Sequence, residues 1–154
     1  MRTLSSLLVG ALSLLTGTVA AQQSPQVEFL NAGTVLPANL PFSEAVRVDN
    51  TLYLSGTLGN VPGTMKLVPG GIKEETRQTM DNIQAVLKAH GYAMGDLVKC
   101  SVMLADMNEW PAFNEIYKTY FTAPYPARSA FAANGLALGA RVEVDCIAVR
   151  RKPG

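Results

Sequence analysis

Apolar and polar residues alternate through "EAVRVDNTLYLSG", residues 44–56, with Val46 and Val48 before Asp49-Asn50 and Leu52 and Leu54 after it. A period of two marks β-strands, and an Asp-Asn pair between two such runs predicts a hairpin. The following "TLGNVPGTMKLVPGG", 57–71, is rich in Gly and Pro and reads as a loop. From Ile72 to His90 the period changes to 3.6. Ile72, Met80, Ile83, Val86 and Leu87 share one face, Thr76 fills its gap, and Gly91 is a natural stop. "DLVKCSVML", 96–104, is β-branched enough for a buried strand. A second helix is expected from Asn108 to Phe121. With Asn108 as its N-cap, Pro111 falls in the first turn, where a missing N–H is tolerated. Its aromatic stripe of Trp110, Phe113, Tyr117, Tyr120 and Phe121 reads as core. Strands at 127–133 and 141–150 close the chain. In the last, Val142, Val144, Cys146 and Ala148 point one way, and Arg141, Glu143 and Asp145 the other.

The order is therefore ββαβαββ, an α+β, two-layer domain with two helices on one face of a mixed sheet. The opposite face, carrying Glu143 and Asp145, is left open for a partner subunit. Residues 1–21 stand apart from this domain. Arg2, an apolar run from Leu7 to Leu15 and the small residues Val19-Ala20-Ala21 have the layout of a secretory signal peptide cleaved after Ala21. The apolar run is too short for a stable membrane span. Residues 22–41 read as an extended lead-in, and 42–154 as a single domain. The expected location is outside the cytoplasm, periplasmic if the source is bacterial, with no membrane attachment after cleavage.

Without the first 21 residues, acidic and basic side chains balance at twelve each. A neutral domain offers no electrostatic footprint for nucleic acid. Cys100 and Cys146 are either two small core residues or, in an oxidising compartment, a disulfide. The single histidine, His90, reads as a solvated helix-end residue, where a cation suits the helix dipole. Nothing around it resembles a nucleophile site. No Cys-x-x-Cys pair, Walker A run or Gly-x-Gly-x-x-Gly run is present, so zinc deaminase and phosphate-cradling chemistry have no support. What remains is Arg, Glu, Asn, hydroxyls and backbone. Arg128 offers a planar fork to a carboxylate, and Glu143 in a partly dry site could shuttle a proton. By residue chemistry alone, each is equally readable as a solvated charge.

The motifs "YLSGTLG", "TRQTMDNIQAVLKAHGYAMGDLVKCSVMLADM", "FNEIYKTYF", "YPARSAFA" and "RVEVDCIAVRR" resemble the RidA/YjgF family of reactive-intermediate (enamine/imine) deaminases, over about residues 26–151. The resemblance implies a chorismate-mutase-like fold and a homotrimer with active sites between subunits. It implies hydrolysis of 2-aminoacrylate-type enamines and small 2-imino acids to 2-keto acids and ammonia, without metal or organic cofactor. Carried over by position, Arg128 matches the arginine that binds the substrate carboxylate, and Glu143 the acid that positions or activates water. Ser55 and Gly56 match the cleft wall, and Asn114 the polar residue on the second helix.

Three positions depart from the family pattern. Phe42 stands for a tyrosine, Thr57 for a glutamine and Ala130 for a cysteine. Position 130 can act through its backbone, since any residue supplies N–H and C=O. Two alternatives to a deaminase remain: an exported metabolite-binding or chaperone-like trimer, and an endoribonuclease, which the balanced charge disfavours.

Overall fold

The computed structural model describes residues 23–37 and 39–150, so the expected signal peptide lies outside the described residues. Strands β1 (Val27–Leu30), β2 (Ala45–Val48), β3 (Thr51–Leu54) and β4 (Thr57–Leu58) precede helix α1 (Ile72–Ala89). Strand β5 (Leu97–Leu104), helix α2 (Trp110–Tyr117) and strands β6 (Ala127–Ala132) and β7 (Val142–Val149) follow. One sheet has the order β1-β2-β3-β7-β5-β6, with β4 also paired to β7. Every pairing is antiparallel except β5 with β6, so the sheet is mixed.

The hairpin turns where expected, with Asp49 in the left-handed region at φ 51°. Its two strands do not present their apolar residues to the same side. Ala45 pairs with Leu54 and Arg47 with Leu52, which puts Leu52 and Leu54 in the core and Val46 and Val48 on the open face. Two elements were not expected. Strand β1 lies within the segment read as a lead-in and pairs along all four residues with β2, while Val35 joins the core. The folded unit thus begins well before residue 42. Strand β4 and the loop after it are also ordered. Asn82 on α1 donates to the carbonyls of Leu58 and Asn60, both at 2.9 Å, and Asn60 donates to Val35 and Thr64, both at 3.0 Å. Buried amides satisfied in this way fix a loop that its glycines alone would leave free.

Helix α1 buries Met80, Ile83, Val86 and Leu87 against the sheet. Gly91 ends it at φ 79°, with its N–H on the Lys88 carbonyl and the Tyr92 N–H on that of Leu87, the pairing of a Schellman motif. His90 is not the solvated residue its helix-end position predicts. Its side chain is 9% exposed, and Nε2 lies 3.0 Å from Oε1 of Glu44, itself 4% exposed. The partner comes from 46 residues away in sequence, beyond the reach of any local pattern.

Helix α2 also corrects its predicted cap. Asn108 is not its cap: Asp106 caps the 3₁₀ turn that precedes α2, accepting the Asn108 N–H at 2.9 Å, and Glu109 holds the N-cap position of α2 itself without a side-chain bond. A 3₁₀ turn at Met107–Glu109 intervenes, so Pro111 still falls in the first turn of the α-helix. Cys100 and Cys146 are register partners on β5 and β7, both buried, and are joined as a disulfide. The core lies between the helices and one sheet face and includes Phe113, Leu104, Val102, Val142 and Val144.

Candidate active site

Strand β6 is the sheet edge and pairs in parallel with β5, matching Arg128 to Cys100 and Ala130 to Val102. Since Cys100 and Val102 are buried core residues, Arg128 and Ala130 face the helix layer. There the Arg128 guanidinium carbon lies 4.5 Å from the ring centroid of Trp110, 4.5 Å from that of Tyr117 and 5.8 Å from that of Phe113. The helix expected to Phe121 ends at Tyr117 and a 3₁₀ turn, Lys118–Tyr120, follows, and the aromatic stripe along both is only partly core. Phe113 and Tyr117 are buried, whereas Trp110, Tyr120 and Phe121 pack partly buried against them. The stripe also forms a platform of π-faces that holds a cation by electrostatic attraction. No carboxylate pairs with Arg128 among the described residues. Its planar fork therefore remains available to an anion.

Arg128 borders a cavity of about 440 Å³ lined also by Asn114, Tyr117, Lys118, Tyr125 and Pro126. Burial pushes the Tyr117 phenol up, and the Arg128 charge partly offsets that. Asn114 stands one turn before Lys118 on the same helix face.

Glu143 belongs to a different neighbourhood. It pairs with Met103 on β5 and with Leu58 on β4. Met103 in turn pairs with the exposed Phe131, so Glu143 lies on the open sheet face. Burial raises the Glu143 carboxyl above the usual carboxylate range, and the like charge of Asp145 raises it further. Gly56 makes this neighbourhood possible, because a Cβ built there would overlap the Glu143 carboxylate. Ser55 holds the same wall: its hydroxyl donates to the Ser43 carbonyl at 2.7 Å and its N–H to that of Glu44 at 3.0 Å. The Thr57 hydroxyl donates to the Ser55 carbonyl at 3.2 Å. Phe42, 47% exposed, stands just ahead of the Ser43-Glu44 segment that Ser55 binds.

The predicted residues therefore fall into two groups. Arg128, Asn114 and Ala130 lie with α2 and β6; Glu143, Ser55, Gly56 and Phe42 lie with β2–β4 and β7. Within one chain the register puts Arg128 and Glu143 on opposite faces of the sheet, about 10 Å apart along the strands. One chain does not bring them together. Trp110, Tyr117, Lys118 and Tyr125 were not read as site residues. The signal that could have found them was the aromatic i, i+3, i+7 spacing on a helix leading into "YPAR". Among the described residues, no group of three His, Cys, Asp or Glu is placed to hold a metal ion. No helix there is long and apolar enough to cross a membrane.

The family described as endoribonuclease L-PSP matches residues 33–150. A 2-iminobutanoate/2-iminopropanoate deaminase of Mus musculus is 48% identical over 118 residues, covering 76% of this chain and 87% of that protein. A protein of the same name from Homo sapiens is 43% identical over 110 residues, covering 71% and 80%. Among solved structures, RidA from an Antarctic Psychrobacter shares 35% identity at a TM-score of 0.75, covering 80% of this chain and 99% of that one.

Proposed function

The chain belongs to the endoribonuclease L-PSP family, which includes the RidA deaminases, and on that premise we propose that it hydrolyses small 2-imino acids to 2-keto acids and ammonia. The observation that carries this reading is Arg128, a cation without an acid partner among the described residues, held over aromatic rings at the edge of a cavity. Its fork receives the substrate carboxylate in a bidentate pair and fixes the adjacent imine carbon. A water adds to the carbon of the protonated imine, giving its proton to Glu143 and leaving a neutral carbinolamine. Glu143 passes that proton to the carbinolamine nitrogen, C–N breaks as the hydroxyl proton moves to Glu143, and Glu143 hands it to the departing ammonia. The balance is iminium plus water to ketone plus ammonium, with Glu143 unchanged. A carboxyl raised by burial holds a proton more readily than a solvated one, which suits it to both transfers.

This scheme needs Arg128 and Glu143 within one substrate's length, so the complete site requires two chains. The open face supports assembly: Val46, Tyr53, Ile147, Met103 and Phe131 line it, and Tyr53 and Phe131 are exposed at about half their surface. We read the assembly as a homotrimer in which the Arg128 side of one subunit meets the Glu143, Gly56 and Phe42 wall of the next. At Phe42 the ring closes the cleft without supplying a hydroxyl, so the proton steps fall to Glu143. The backbone at Ala130 serves where a cysteine is common.

Export is the second part of the reading. The Cys100–Cys146 disulfide supports an oxidising compartment independently of the N-terminal pattern. The neutral charge gives no footing for an RNA substrate. The test is loss of 2-iminopropanoate, generated from alanine by an amino-acid oxidase, with and without the purified chain lacking residues 1–21. Acceleration over spontaneous hydrolysis is expected, and an unchanged rate would refute the enzyme.

A further inference from the structure

The Arg128 cavity holds a second cation that the hydrolysis of a simple imino acid does not use. Lys118 lines the same space and is exposed at its rim. Among the described residues it forms no ion pair and no side-chain hydrogen bond. The acid nearest in sequence, Glu115, is ion-paired to Lys73 at 2.9 Å, and the Lys118 charge also acts on it. Arg47, Arg77 and Arg141 each have a carboxylate partner, whereas Lys66, Lys88 and Arg150 have none among the described residues. Arg128 and Lys118 are set apart by lining the same cavity without an ion-pair partner among the described residues, in a lining that holds no acid.

On these grounds, and resting on the proposed deaminase reading, we infer that the site takes 2-imino diacids of four or five carbons, with Lys118 binding the distal carboxylate. Arg128 takes the carboxylate beside the imine, as in the monoacid case. The Tyr117 and Tyr125 rings and Pro126 flank the methylenes between the two charged ends. Asn114, one turn from Lys118, lines the same cavity. Lys118 is then a specificity residue: it adds binding for the second charge and takes no part in proton transfer. Because it is exposed, its contribution is modest and sensitive to salt.

The experiment separates binding from chemistry. Calorimetric titration of the chain lacking residues 1–21 with 2-oxoglutarate and with pyruvate, the stable keto counterparts, is run on wild type, Lys118→Met and Lys118→Arg. Wild type is expected to prefer the diacid about fivefold at low salt, Lys118→Met to lose that preference, and Lys118→Arg to retain most of it. The same ratio is then read as kcat/KM for 2-iminoglutarate over 2-iminopropanoate. Equal binding of the two acids by wild type, or a diacid preference that survives in Lys118→Met, overturns the assignment. If neither imine is hydrolysed while the Lys118-dependent preference remains, the deaminase reading falls and the diacid site stands.

Discussion

The Arg128 and Glu143 neighbourhoods are built in opposite ways. Arg128 sits on an edge strand and is held by π-faces, without a carboxylate partner. Glu143 sits on a strand paired on both sides, against a glycine whose missing side chain makes its space. The first arrangement keeps a permanent charge open to an incoming anion. The second withdraws a carboxylate from water and raises its pKa, which a proton carrier needs and an anion clamp does not. Fifteen residues of sequence separate the two, yet the strand register turns them to opposite sheet faces. A motif compact in sequence is therefore split in space within one chain, and the proposed mechanism brings its halves together across a subunit boundary.

Removing the clamp has the largest expected effect. Arg128→Ala should lower kcat/KM for 2-iminopropanoate by about a thousandfold, since the bidentate charge-assisted pair and the orientation it provides are lost together. Size-exclusion chromatography should show the assembly unchanged. An unfolded variant would instead make the arginine part of the aromatic stack's own stability.

Disturbing the proton side through its space rather than its charge comes next. Gly56→Ala pushes a methyl against the Glu143 carboxylate. It should reduce kcat by about tenfold to a hundredfold with little change in KM, because misplacing a proton carrier by an ångström costs catalysis rather than binding. A rise in KM alone would assign the wall to substrate binding.

The smallest effect concerns pH. Glu143 works as a base only when ionised, so activity rises with pH through its raised pKa. Asp145 contributes to that raise by like charge, and Asp145→Asn should move the acidic limb of the kcat/KM profile to lower pH by a fraction of a unit. The same substitution should leave the Arg128 side, and hence KM for the carboxylate, where it was.

Much of the fold was legible in the sequence because its signals are local. The 3.6 period and Gly91 define α1, and alternation around Asp49-Asn50 defines the β2–β3 hairpin. Two of the misreadings share one cause, a deciding partner distant in sequence. Strand β1 is four mostly exposed residues whose pairing, among the described residues, is with β2 alone. His90 is buried because Glu44 reaches it across the fold. The cap of α2 was displaced by a 3₁₀ turn that no period marks. The choice left open between two free core cysteines and a disulfide turned on the β5–β7 register, which neither cysteine's own strand reveals. The same limit applied at the site: family resemblance pointed to Arg128 and Glu143, but their separation and the aromatic platform are products of register and helix packing.

The central claim is that each working site takes its arginine from one subunit and its glutamate from another. Mixing decides it most directly. Arg128→Ala and Glu143→Gln chains, each inactive alone, are co-refolded at equal amounts and assayed for 2-iminopropanoate loss. Random assembly unites an intact arginine with an intact glutamate at about one interface in four, so about a quarter of wild-type activity should return. A mixture as inactive as its components would place both residues in one chain's site and contradict the account.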